Sequence, residues 1–257
     1  MLLCQVLLLF TFHTVTALPT SPILHRSRRI VGGDPAFITQ VPYLVNIRKN
    51  GYFHCGGSLI SSRCVLTAAH CVRNAVPNDF IVRGGVTLLN DVENKRFVER
   101  FFVPAEYNNI TFEHDFSILR LKTKLQGASI KPILLGDAPP LPGDFIQVSG
   151  WGLTHENAVF PPNRMQTVYL RVFEQEECKA FYEAYRNVTE TMFCASVPGE
   201  KDACLADSGG PAVLGDRLVG VVSWGKKNEC GHADSPGVYV NLNKVKNWIM
   251  DILYTYC

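Results

Sequence analysis

No stretch of this 257-residue chain offers the ~20 consecutive apolar residues that a membrane-spanning helix requires. The nearest is Leu2 to Phe12, which is far shorter and runs into polar Thr and His. Because it lies at the very start and leads to the small-residue pattern Val15-Thr16-Ala17, it reads as a secretory signal over residues 1–17, although it lacks the usual early basic residue. An excess of one charge is lacking too. The formal charge is +2, but the residues up to Arg29 hold three of the 25 bases (Arg26, Arg28, Arg29) and none of the 23 acids, so the remainder carries −1. A nucleic-acid or anionic-membrane partner therefore has no electrostatic support.

Paired CxxC knuckles are absent, and the histidines do not stand at metal-ligand spacing, which removes the usual sequence signs of a zinc site. LNDVENKRFVER mixes its acids with bases and reads as a solvated loop rather than a calcium loop, so no metal and no cofactor is expected. Repeats and low-complexity tracts are likewise missing. What the chain does have is nine cysteines, Cys4 in the signal and eight beyond it, an even number that in a secreted chain suggests disulfides. Two sequons, Asn109-Ile110-Thr111 and Asn187-Val188-Thr189, agree with secretion and mark candidate glycosylation sites.

A composition of 47% hydrophobic and 19% charged residues is that of a soluble globular protein. Short apolar runs such as YLVNI, CVLTAA, FSILRL, FIQVSGW and RLVGVVSW, separated by Gly, Pro, Asn and Asp, indicate an all-β fold. Helical spacing appears only at the end, where Val245, Trp248, Ile249, Ile252 and Leu253 would form one apolar face. The Pro-rich segment 136–144, GDAPPLPGD, is a candidate crossing between two β units.

Three motifs bear on chemistry: LTAAHC (66–71), HDFSILRL (114–121) and DSGGP (207–211). With IVGG, CGGSLIS, SGWG, MFCA, KDAC and SWG…SPGVYV, in this order from Ile30 to the final helix, they resemble the trypsin-like branch of the chymotrypsin family of serine proteases. The resemblance implies two antiparallel six-stranded β-barrels with the active site between them and a C-terminal helix, over a peptidase domain of residues 30–257. It implies His70 as general base, Asp115 as its orienting carboxylate and Ser208 as nucleophile. A serine hydroxyl is protonated at neutral pH, so it needs an imidazole to take its proton, and the imidazole needs a carboxylate to fix its tautomer.

The same resemblance implies further roles. Residues 18–29 become an activation propeptide, cut between Arg29 and Ile30, after which the new amine pairs with Asp207 and orders the pocket. Asp202 stands at the base of the specificity pocket, Gly225 and Gly237 on its walls, with Ser223 and Trp224 also binding substrate. Such a pocket takes arginine or lysine. Ala203 replaces a common serine that would help hold a lysine ammonium, so arginine is expected to be preferred. Disulfides follow as Cys55–Cys71, Cys178–Cys194 and Cys204–Cys230. For the remaining two we expect Cys64–Cys257, against a buried free thiol at Cys64 and an intermolecular Cys257. Partners would be protein or peptide substrates, an activating trypsin-like protease and protein inhibitors, for a secreted monomer.

Ala206 departs from the pattern, because the family carries glycine there to shape an oxyanion hole from its N–H and that of Ser208. If the backbone needs a positive φ, the methyl makes it costly by ~1–2 kcal/mol. The alternative function is thus a protease-fold binding protein with weak catalysis. The complete set of motifs favours the enzyme.

Overall fold

A computed structural model describes residues 33–153, 158–199, 202–203, 206–226 and 229–257. The expected signal peptide, propeptide and cleavage site at Arg29 and Ile30 lie outside the described residues, as does Cys204. A short strand β1 (Asp34–Pro35) precedes a first set made of β2 (Leu44–Lys49), β3 (Tyr52–Leu59), β4 (Cys64–Thr67), β5 (Phe80–Gly84), β6 (Lys95–Phe102) and β7 (Ser117–Leu121). These close into an antiparallel barrel in the order β2-β3-β4-β7-β6-β5. The chain then forms β8 (Leu134–Leu135), β9 (Phe145–Gly150), β10 (Gln166–Val172), helix α1 (Gln175–Tyr182), β11 (Met192–Ser196), β12 (Pro211–Leu214), β13 (Arg217–Trp224), β14 (Gly237–Asn241) and helix α2 (Leu242–Tyr256). Strands β10-β11-β14-β13-β12-β9 make the second barrel, closed by β9 pairing with β10. The Pro-rich segment joins β8 to β9.

The strands follow from alternation. β10 buries Gln166, Val168, Leu170 and Val172 and turns Tyr169 and Arg171 outward, the period of two that a pleated strand imposes. Val45, Ile47, Leu66, Phe80 and Leu119 fill the first barrel, and Ile146, Val148, Leu170 and Phe193 the second. The first cluster extends through Val213, Leu218, Val221 and Val240 to Val245 and Ile249 of α2, so the helix and both barrels share apolar contacts.

Helix α2 begins where the Asn241 side chain accepts a hydrogen bond from the Asn243 N–H at 3.2 Å, an N-cap. Val245 and Ile249 are buried, while Trp248, Ile252 and Leu253 pack beside them on the first barrel, the face read from the sequence. Trp248 meets Phe116 edge to face at 5.2 Å, and Arg120 donates to the Tyr256 carbonyl at 2.7 Å. Disulfides join Cys55 to Cys71, Cys178 to Cys194, and Cys64 to Cys257. The last closes a separation of 193 residues and ties the end of the chain to β4. Cys230 is disulfide-bonded as well.

A bridge across so long a loop removes much freedom from the unfolded chain. Replacing both Cys64 and Cys257 by serine should lower the unfolding free energy in urea by about 2–5 kcal/mol. An unchanged midpoint would mean that the apolar face and the Arg120 contact hold the helix alone.

Candidate active site

His70 sits on a 3-10 turn, Ala69–Cys71, that follows β4, and the Cys55–Cys71 bridge fastens that turn to β3. Asp115 stands two residues before the start of β7 and is wholly buried. Its Oδ1 accepts the His70 backbone N–H at 2.8 Å, and its Oδ2 lies 2.7 Å from His70 Nδ1. Oδ2 also accepts the Ser223 hydroxyl at 2.6 Å, reaching across from β13 of the second barrel. A carboxylate at Nδ1 makes that nitrogen the protonated one, which leaves the Nε2 lone pair free to take a proton.

Ser208 lies on a tight turn between the barrels. Its carbonyl accepts the Gly56 N–H of β3 at 2.9 Å, the Gly209 N–H donates to the Val222 carbonyl of β13 at 2.8 Å, and the Gly210 N–H closes the turn on the Asp207 carbonyl at 2.9 Å. Gly209 has φ +79°, and a methyl there would overlap Thr67 and the Gly56 backbone, so only glycine fits. Asp207 is buried, its Oδ1 accepting the Gly152 N–H at 2.8 Å, and a side chain at Gly150 or Gly152 would overlap its carboxylate. Ala206 has φ +73°, the left-handed conformation that glycine would adopt without cost.

His70, Ser208, Ser223, Trp224, Gly225 and Gly237 line one pocket of about 250 Å³, together with Asp202 and Ala203. Asp202 is 3% exposed, and it accepts the N–H groups of Gly231 and Gly237, each at 3.2 Å. A methyl at Gly237 would stand 2.9 Å from the Asp202 carboxylate, whereas one at Gly225 would meet nothing within 4 Å. Gly237 is therefore needed for the close approach, and a side chain at Gly225 would project into open space. Burial pushes the Asp202 carboxyl up to about 8, against the pull of the backbone N–H groups and with the nearby Asp207 adding to the rise.

The structure thus gathers the sequence-predicted His70, Asp115, Ser208, Asp202, Ala203, Ser223, Trp224, Gly225 and Gly237 around one cleft, with Asp207 and Ala206 in the serine turn. Asn109 and Asn187 are exposed. The bond from Ser223 to Asp115 had no signal in the sequence beyond the SWG motif. Phe112, Lys226 and Glu229, which line the same pocket, had none. Two groups of described residues crowd metal-ligand atoms together. The sulfurs of Cys55 and Cys71 beside His70 are spent in a disulfide, and Glu229, with His232 and Asp234, already faces Lys226 at 3.8 Å.

Because Asp202 holds its proton more tightly in the folded state than an unfolded Asp near 3.9 does, its contribution to stability is lost as the pH rises from about 4 through about 8. Asp202→Asn should flatten that slope and raise the melting temperature at pH 8 relative to the parent. Parallel melting curves for both proteins across this range would contradict the raised carboxyl.

Comparisons with known proteins agree with this geometry. The family model described as Trypsin matches residues 30–249. Hypodermin-B of Hypoderma lineatum is 38% identical over 87% of this chain and 87% of its own, and trypsin epsilon of Drosophila erecta 38% identical over 86% of each. Among solved structures, neuropsin, a serine protease expressed in the limbic system of mouse brain, superposes with a TM-score of 0.79 at 30% identity, covering 86% of this chain and 98% of that one. With two closed barrels, a C-terminal helix and these matches, the chain belongs to the trypsin family of serine endopeptidases.

Proposed function

We propose that this protein is a secreted endopeptidase, made as a zymogen, that hydrolyses peptide bonds after arginine and, less readily, lysine. Residues 1–17 direct secretion, and cleavage between Arg29 and Ile30 by another trypsin-like protease frees an amine that pairs with Asp207. The active form is a monomer open to protein inhibitors, with glycans at Asn109 and Asn187. The observation that carries the reading is the buried Asp115 carboxylate bonded twice to His70, with His70, Ser208 and Asp202 lining one pocket.

In this mechanism His70 Nε2 takes the proton of Ser208 Oγ as the oxygen attacks the substrate carbonyl. The developing oxyanion is stabilised by the backbone N–H groups of Ala206 and Ser208. His70 then gives the proton to the departing amine, leaving an acyl-enzyme that water cleaves by the same steps in reverse. The substrate arginine stands against Asp202, whose ionisation is favoured again once a guanidinium pairs with it. Ala203 offers no hydroxyl to a lysine ammonium, which supports the arginine preference.

The left-handed Ala206 is the one observation that favours the weak-catalysis reading, because strain of ~1–2 kcal/mol can be relieved by turning its peptide. Loss of one oxyanion donor typically lowers turnover by ~10²–10³. Protein cleaved after Arg29 should hydrolyse an arginyl amide faster than the matched lysyl amide, and Ser208→Ala should abolish both reactions. Ala206→Gly should change turnover by less than about tenfold while raising stability by about 1 kcal/mol. A rise of ~10² or more in Ala206→Gly would instead place the parent among the weak catalysts, and equal rates on the two amides would remove the arginine preference.

A further inference from the structure

Against Phe112 and Trp224, which line the cleft, stands a cation with no acidic partner among the described residues. The Phe112 ring stands 5.6 Å from the His70 ring, and the Arg186 guanidinium carbon lies 4.4 Å from the centre of Phe112. The same guanidinium lies 4.7 Å from the Trp224 ring and 5.5 Å from Tyr185. Three aromatic faces thus hold one planar cation, and none of them uses its N–H donors. Among the described residues no carboxylate pairs with Arg186. Of the acids around it, Glu113 accepts the hydroxyls of Thr189 and Thr191, Glu229 faces Lys226, Glu176 pairs with Lys179, and the exposed Glu183, which lines an adjoining pocket with Arg186, is not within ion-pair distance of it.

The ring under this cation is held firmly. Phe112 has φ +60°, a costly conformation for a bulky residue that persists only where the surroundings enforce it, and its N–H donates to the Asn108 carbonyl at 2.8 Å. The ring distances place the guanidinium within ~10 Å of the imidazole, a span of two to four residues in an extended peptide. It lies on the acyl side of the cleaved bond, because Trp224 also lines the pocket that contains Asp202.

We propose that Arg186 is a specificity-determining residue that binds an acidic side chain of the substrate two to four positions before the cleaved bond. The inference rests on the endopeptidase reading and deepens it: the cleft has an acid within the specificity pocket that ionises against an entering guanidinium, and a permanent cation beside its upstream wall. A carboxylate arriving there meets unspent guanidinium donors, whereas a basic residue meets like charge on an aromatic surface already occupied.

The test uses the activated protein and matched peptides with arginine before the bond and Glu, Ala or Lys at each of the second to fourth upstream positions. At one of these positions kcat/KM should favour Glu over Ala about three- to tenfold, mainly through KM, with Lys below Ala. The preference should shrink as NaCl rises from about 50 mM to about 0.5 M, and Arg186→Gln should bring the Glu-to-Ala ratio to about one. If that variant does not fold, the salt dependence of the parent decides. Equal cleavage of Glu and Ala peptides, or a preference for Lys, overturns this proposal alone. Failure to cleave any of them overturns the endopeptidase reading and this one with it.

Discussion

Everything in the cleft depends on burying one carboxylate. Asp115 has no exposed surface, and an unpaired ion in such a place would be prohibitively costly. It is tolerated because three donors converge on it: two from His70 in the first barrel and the Ser223 hydroxyl from the second. Removing one partner of a buried charge typically costs ~3–5 kcal/mol, so this carboxylate couples the docking of the barrels to the orientation of the imidazole. The same bonds that stabilise the interface also prepare the base.

The serine turn obeys a second, steric constraint. Ser208 is held from both sides, by Gly56 of β3 and, through Gly209, by Val222 of β13, in a space where a methyl on Gly209 would strike Thr67. Two residues earlier the chain accepts a methyl in the left-handed region at Ala206. Buried Asp207, packed against Gly150 and Gly152, anchors the segment between these positions. Strain at Ala206 is therefore carried by neighbours that cannot easily move, which is how an unfavourable φ persists near a reacting group.

Electrostatics then divide the cleft. Asp202 is buried deeply enough to favour its proton when the pocket is empty, so a guanidinium entering it must also restore the charge. Arg186 is stabilised differently, by quadrupoles rather than by a counter-ion, and so keeps its charge available.

The family, the all-β fold and the apolar face of α2 were legible in the sequence because each is written in contiguous residues: short motifs, two-residue alternation and helical spacing. The gathering of His70, Asp115, Ser208 and Asp202 could be inferred only through resemblance, since nothing local to them specifies that they meet. The second partner of Asp115, the left-handed φ of Ala206, and the stacking of Arg186 on Phe112 and Trp224 were decided by tertiary structure alone. Ser223 and Asp115 are 108 residues apart, and contacts at that range arise from how two closed barrels dock, which no short segment encodes.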